Sequence, residues 1–279
     1  MGTVKGTPTA MAITDQATPK WALILGVSSG FGAAAARAWA ADGFNIIGVH
    51  LDRRAAQPAV DALSAELRQT GRDVHFFNEN AASDTSRAAM IEAIAPIVNK
   101  NGGSVAILLH SLAFGTLRPL VPAPDRTNRA ASRRQLEMTI DVMANSLVYW
   151  TQDLLDQQLL HKTRIFAMTS AGSQAAWPNY GPVSAAKAAL ETHVRQLCME
   201  LAPYQITINA ILAGVTETAA LKKIPGHEQL MAGAKNRNPH NRLTQPEDVA
   251  ACLVALSRPE TYWMTGNTIR VDGGENFCA

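Results

Sequence analysis

Residues 21–40, WALILGVSSGFGAAAARAWA, constrain this chain more than any other segment. An apolar, β-rich run stops at a turn carrying Gly26, Gly30 and Gly32, then passes directly into a run of small helix formers. A strand that feeds a tight turn and a helix must return to lie parallel to itself, because the crossover leaves no room for a hairpin. The rest of the chain repeats the alternation. Periodicity predicts strands near 21–27, 44–50, 73–78, 104–109, 164–169, 206–211 and 267–271. It predicts helices near 31–42, 56–70, 84–100, 134–160, 182–203 and 246–257.

The implied architecture is α/β: a Rossmann-like, doubly wound parallel seven-stranded sheet in a single domain. With 279 residues, 47% of them hydrophobic, residues 21–279 suffice for one full core. Residues 1–20, with their Thr, Gly and Pro, read as a mobile leader. Two stretches interrupt the alternation. Segment 117–133 carries three prolines and is read as an insertion, and 215–243 is a polar connection read as a substrate lid.

Composition excludes several function classes. A net charge of +2 argues against nucleic-acid or membrane-surface binding, and no apolar run is long enough to span a bilayer. Cys198, Cys252 and Cys278 are an odd number without a CxxC pair, which favours a reduced, cytoplasmic setting. The seven histidines form no HxH or HxxxH group, so no metal site is expected.

The glycine turn is built for a dinucleotide. A diphosphate needs a tight turn, close backbone approach and free N–H groups at a helix N-terminus, here offered by Gly26, Ser28, Ser29, Gly30, Phe31 and Gly32. The end of the second strand then selects the cofactor. An acidic side chain there binds both ribose hydroxyls of NAD, whereas an arginine accommodates the 2′-phosphate of NADP. His50 stands where the acid would be expected, and Asp52, Arg53 and Arg54 follow. NADPH bound through Arg53 is therefore expected, with NADH possible through Asp52. After the third strand, Asn80 either reads the adenine edge or caps the next helix, and Ala81 lies beside it.

The chemistry is concentrated in WPNYGPVSAAK. Tyr180 stands seven residues ahead of Lys187, and the position four ahead of that lysine is Val183. Pro182 fits a first helical turn, so Tyr180 falls on the loop just before the helix. Its hydroxyl then lies further from a hydride-accepting carbon than it would on the helix face. That geometry suits hydride transfer to the β-carbon of a C=C bond, with charge developing on a carbonyl oxygen two atoms away. Ser170 ends the fifth strand and offers a second donor to that oxygen, or is simply a turn residue.

The fourth strand ends in HSLAF. Ser111 and Leu112 are expected to flank the nicotinamide ribose, and Ala113 and Phe114 an acyl slot, while His110 reads as a hydrogen-bonded structural histidine. After the sixth strand, Gly214 permits close approach to the nicotinamide, Thr216 can meet its carboxamide and Thr218 the diphosphate. Met143, Trp177 and Leu221 are apolar candidates for the substrate wall.

Together these residues resemble the short-chain dehydrogenase/reductase superfamily from about Trp21 to Gly274. Gly26-x3-Gly30-x-Gly32, the Ser170, Tyr180 and Lys187 group, AG-x-x-x-T and the terminal VDGG fall in order. The Tyr-x6-Lys spacing and HSLAF resemble the enoyl-acyl-carrier-protein reductases in particular. What the resemblance implies is an acyl thioester substrate, with Tyr180 touching the thioester oxygen and Lys187 holding the nicotinamide ribose. It further implies a homotetramer or homodimer and an acidic acyl carrier protein as partner. Ser170 stands where the best-known bacterial form has a second tyrosine, and Met143 where ordinary short-chain dehydrogenases have an asparagine, with Asn145 two residues on. The alternatives are a carbonyl reductase or alcohol dehydrogenase acting on a keto-acyl or cyclic ketone substrate, and a cofactor-binding protein without catalysis.

Basic residues gather in the two interruptions: Arg126, Arg129, Arg133 and Arg134 in and after the first, and Lys222, Lys223, Lys235, Arg237 and Arg242 in the second. They form either a rim that steers an acidic carrier or ordinary solvated charges.

Overall fold

The computed structural model describes residues 18–278 apart from Arg126. Residues 1–17 of the expected leader lie outside that range, and Lys20 already belongs to the first strand. The strands are β1 (Lys20–Leu25), β2 (Asn45–His50), β3 (Val74–Asn78), β4 (Ser104–His110), β5 (Leu160–Ser170), β6 (Thr207–Ala213) and β7 (Thr268–Val271). They form one parallel sheet in the order β3-β2-β1-β4-β5-β6-β7. The order reverses between β1 and β4. At such a switch point the connections leave in opposite directions and open a crevice beyond the carboxyl ends of the strands.

Side chains alternate across β1 because strand periodicity is two, and both faces are buried. Trp21, Leu23 and Leu25 join a core with helices α3 (Asp84–Asn99), α5 (Ser146–Asp156) and α6 (Gly181–Glu200). Ala22 and Ile24 join the opposite core with α1 (Gly30–Ala41), α2 (Gln57–Arg68) and α8 (Pro246–Leu256). The alanines of α1 let it lie close to α8, and Trp39 fills the far end, donating from its indole to Ser257 Oγ at 3.1 Å. Each fully buried large aliphatic side chain of this kind contributes about 1.5–3 kcal/mol.

Three expectations are corrected. The single helix over 134–160 is α4 (Arg133–Ile140), a π-helical turn (Asp141–Asn145) and α5. Ser146 Oγ donates to the Val142 carbonyl and meets His110 Nε2 at 2.8 Å. A side chain that bonds back into the ladder while holding a group from another element fits a local widening of the helix. The fifth strand begins at Leu160, because Leu160 pairs with Val105 before the polar His161 and Lys162 disguise the pattern. Finally, segment 215–243 is not all irregular: it contains α7 (His227–Arg237), which its polar composition concealed.

The turn after β1 tolerates no side chain. Gly26 has φ +93°, and a Cβ there would stand 2.5 Å from the Ser111 carbonyl oxygen. Gly26→Ala is therefore expected to destabilise the fold by about 1–3 kcal/mol, the usual magnitude of a strained φ/ψ combination. A thermal melt measures this, and an unchanged Tm would mean that the turn is free to move.

Candidate active site

The crevice brings three loops together. Gly26 abuts Ser111, whose N–H donates to the Leu25 carbonyl at 2.9 Å, and Leu112 lies behind it. A Cβ on Gly32 would overlap the Gly26 carbonyl oxygen, so the helix enters as close to the turn as a backbone can. Gly30, at φ +52°, packs under the Thr218 methyl group of the loop after β6. Ser29 is the N-cap of α1 and makes no side-chain cap bond, leaving its hydroxyl and the first-turn N–H groups facing the crevice mouth. Ser28 and Phe31 are half-buried, Phe31 packing onto the α1 and α8 core. These residues fit a diphosphate: positive φ at Gly26 and Gly30, backbone packed too closely for side chains at Gly26 and Gly32, and unfilled helix donors.

At the end of β2, the His50 imidazole is buried and its Nδ1 lies 3.0 Å from Asp52 Oδ2. Asn78 bonds both the N–H and the carbonyl of Asp52, at 3.0 and 3.1 Å. The carboxylate is thus engaged within its own turn. Arg53 and Arg54 are exposed and have no carboxylate partner among the described residues. Asn80 caps no helix. Its Oδ1 accepts from Ala82 N–H at 3.0 Å, closing a turn, and Ser83 caps α3 instead. The Ala81 carbonyl accepts from Trp150 Nε1 at 2.8 Å, fixing this corner to α5.

Tyr180 occupies the N-cap of α6, with Pro182 in the first turn. Its ring lies against Gly172, where a Cβ would collide with it, and its hydroxyl is 3.5 Å from Ser170 Oγ. Burial pushes the phenol above its ordinary value, and Ser170 offsets part of that. The phenol is accordingly a neutral donor at physiological pH.

Lys187 is buried, 6% exposed, with Nζ donating to the Met168 carbonyl at 2.7 Å. Burial lowers its pKa from 10.5 to about 8, and the Glu191 carboxylate one helical turn on opposes that fall. Glu191 is itself buried and accepts from Thr169 Oγ1 at 2.7 Å. His110 has no solvent exposure, and burial followed by the Lys187 charge brings it to about 3, so its imidazole is neutral.

The apolar candidates separate into two groups. Met143 is buried in a small core with Val183 and Ala186, against which Tyr180 packs, and its sulfur lies under Gly115. It does not open to the crevice and supports Tyr180 from below. Ala113 and Phe114 are exposed. Trp177 donates from Nε1 to the Pro225 carbonyl at 3.2 Å, joining the loop before α6 to segment 215–243. Leu221 is buried at the start of that segment, its N–H on Thr218 Oγ1 at 3.1 Å. Leu120, from insertion 117–133, rests on Gly181 beside Tyr180.

The basic residues are less available than their number suggests. Arg133 pairs with Glu137, Lys222 with Glu217 and Arg242 with Asp248, while Arg237 faces Glu275. Arg129, Arg134, Lys223 and Lys235 are exposed without such partners among the described residues, and Arg126 lies outside those residues. Sequence reasoning missed Glu191 and Glu275. Glu191 carries a signal in the sequence, a carboxylate four residues after the lysine and hence on its helix face.

A family model described as enoyl-(acyl carrier protein) reductase matches residues 26–276, from the first glycine of the turn to the residues beyond β7. The chain belongs to that family. It is an NAD(P)H-dependent oxidoreductase of the short-chain type. The NADH-dependent enoyl-[acyl-carrier-protein] reductase of Aquifex aeolicus is 30% identical over 191 residues, 68% of this chain and 69% of its own. The crystal structure of the Aquifex aeolicus enzyme superposes with a TM-score of 0.78 at 25% identity, covering 94% of this chain and 98% of that one. The NADPH enzyme of Staphylococcus aureus is 26% identical over 215 residues, 77% of this chain and 80% of its own. The short-chain reductase protein NovJ of Streptomyces niveus matches more of the chain, 26% over 277 residues, 95% of this chain and 96% of its own.

The buried ammonium gives a pH signature. Folding disfavours the charged lysine, so stability rises with pH between about 8 and 10.5, where only the unfolded chain still holds the proton. A rate that needs the ammonium runs the other way. kcat/KM is expected to fall as pH rises through about 8, and the limb is expected to be absent in Lys187→Met. A flat profile to pH 10 would take the Lys187 charge out of the rate.

Proposed function

We propose that this protein reduces the C=C bond of an enoyl thioester with NADPH. The observation that carries the reading is the position of Tyr180 at the N-cap of α6, its hydroxyl 3.5 Å from Ser170 Oγ, with buried Val183 at the position four ahead of Lys187. Bound NADPH supplies a hydride. The protein supplies the rest. The turn Gly26–Gly32 and Thr218 hold the diphosphate, Arg53 binds the 2′-phosphate, and Ser111, Leu112, Gly214 and Thr216 flank the nicotinamide end. Asn80 and Ala81 border the adenine. Lys187 holds the ribose and keeps a positive field near the phenol. Tyr180 and Ser170 donate to the substrate carbonyl oxygen, where negative charge grows as the β-carbon is reduced.

Segment 215–243 covers the acyl group, with Leu221 beneath it and Trp177 as its contact on the opposite wall. Phe114 and Ala113 border the acyl path, and Met143 backs Tyr180 rather than touching substrate. The carrier is an acidic protein approached through Arg129, Arg134, Lys223 and Lys235. The working form is a cytoplasmic homotetramer or homodimer. Similarity to the 3beta-hydroxysteroid dehydrogenase 1 of Eggerthella lenta, 26% identical over 265 residues, 93% of this chain and 95% of its own, favours a ketone-reducing second reading. Crotonyl and acetoacetyl thioesters, each assayed with NADPH and NADH, separate the two. Oxidation of NADPH by the crotonyl compound alone is expected, and activity confined to the acetoacetyl compound would reverse the conclusion.

Tyr180→Phe is expected to lower kcat by about two to three orders of magnitude while leaving NADPH affinity nearly unchanged, since one preorganised oxyanion donor is removed. Near-normal turnover would remove the phenol from the chemistry. Arg53→Ala is expected to weaken NADPH by roughly tenfold or more and NADH hardly at all, because only NADPH presents a phosphate for a charge-assisted bond. Equal losses for the two cofactors would overturn the choice of NADPH bound through Arg53.

A further inference from the structure

The end of β7 leads into a turn, Asp272–Asn276, that is unusually well tied. Asp272 accepts from the N–H of Gly274 at 3.0 Å and of Asn276 at 3.3 Å, and from Asn276 Nδ2 at 2.6 Å. Its carboxylate is thereby spent on holding the turn. The next acid along, Glu275, is used differently. It is 2% exposed, and its side-chain hydrogen bond and ion pair both go to segment 215–243.

Oε2 of Glu275 accepts from the N–H of Val215 at 2.9 Å, and Oε1 faces Arg237 Nη2 at 3.9 Å. Val215 is the first residue of segment 215–243, and Arg237 is the last residue of its helix α7. The same turn takes the next residue as well, since Asn238 Nδ2 donates to the Asp272 carbonyl at 3.0 Å. Where the segment leaves and rejoins the body, Gly214 is pressed so closely on Thr244 that a Cβ would overlap its hydroxyl. The excursion is therefore closed at its base, and one buried carboxylate touches both of its legs.

We propose that Glu275 is the positioning residue of the substrate cover, fastening the outgoing and returning legs of segment 215–243 to the turn after β7. The inference rests on the reading of that segment as the cover over the acyl group. A carboxylate suits the task better than a neutral group, since it accepts the Val215 N–H and answers the Arg237 charge with its other oxygen. The Val215 bond is charge-assisted at a buried carboxylate, while Arg237, its side chain 42% exposed and 3.9 Å away, adds a weaker pull. Burial raises the carboxyl above its ordinary value, and the Val215 N–H and Arg237 pull it back. Between the legs, residues 216–236 keep their own local ties, such as Lys222 to Glu217, and touch the opposite wall through Trp177 and Pro225. On this proposal they depend on the base for their placement over the site.

Three variants of the full chain test this. Glu275→Ala removes both grips. Glu275→Gln keeps an oxygen for the Val215 N–H and removes the charge facing Arg237. Arg237→Met removes the same charge pair from the other side. Hydrogen exchange, read without cofactor or substrate, is expected to quicken about tenfold at Val215 and across 216–236 in Glu275→Ala, the loss of one charge-assisted bond. The two milder variants are expected to match each other at a smaller increase, with β1, β4 and β5 unchanged. In turnover, KM for a crotonyl thioester is expected to rise more than kcat falls, with KM for NADPH constant, and Glu275→Gln is expected to recover most of the loss.

Wild-type exchange over 216–236 in a folded Glu275→Ala protein would overturn the proposal, as would faster exchange spread evenly over the sheet. If that variant does not fold, unchanged exchange in both Glu275→Gln and Arg237→Met would overturn it. The exchange readout needs no substrate. A wild-type protein inert toward enoyl thioesters would thus count against the proposed function and not against the fastening.

Discussion

An ammonium enclosed by protein must be held by fixed dipoles and charges, and in this molecule that requirement falls on Lys187. Its proton donor bond to the Met168 carbonyl ties α6 to the end of β5, and Glu191, held by Thr169, places a negative charge one turn away. The neighbouring His110 is kept neutral by its burial and then by the Lys187 charge, and its Nε2 meets Ser146, joining β4 to the start of α5. The alternative, a second cation beside the first in a site of low polarity, would be expensive in free energy. Thus the groups around the phenol of Tyr180 gather about one buried charge, while the phenol itself stays neutral because it is buried.

A second constraint acts at the crevice mouth, where backbone approaches backbone. Gly26 against the Ser111 carbonyl and Gly32 against Gly26 leave room for no side chain. The glycine turn is consequently close-packed, and it lies at the switch point between β1 and β4, where the sheet order opens a crevice. The loop after β6 faces it, tied to the turn after β7 through Val215 and Asn238. A close-packed turn on one side and a segment tied at its base on the other is an arrangement suited to the enoyl reduction proposed above, in which substrate enters and water is then excluded.

The sheet was legible because its strands are apolar on both faces and its helices are rich in small residues, so all seven strands and six helical regions could be placed from pattern. What escaped were features decided by tertiary contact. The π-helical turn depends on Ser146 meeting His110 across the sheet, and nothing local to DVMAN announces it. Helix α7 is polar on most of its surface and buries only Ala234, so periodicity had little to detect. In the site, Tyr180 and Pro182 could be read because spacing and proline chemistry fix a helix start. Asn80 could not, since an amide that closes a turn, caps a helix or reads a base has the same sequence. The Arg237 and Glu275 pairing joins residues 38 positions apart and is visible only once the chain is folded.

The central claim is that Tyr180, displaced to the loop before α6, serves reduction at a β-carbon rather than at a carbonyl carbon. Transfer from NADPH deuterated at the 4-position of the nicotinamide ring tests it most directly, using crotonyl and acetoacetyl thioesters and mass and NMR analysis of the products. The account predicts deuterium at C3 of a saturated butyryl thioester and none in the acetoacetyl incubation. Deuterium on the carbinol carbon of a 3-hydroxybutyryl thioester, with the crotonyl compound returned unchanged, would contradict it.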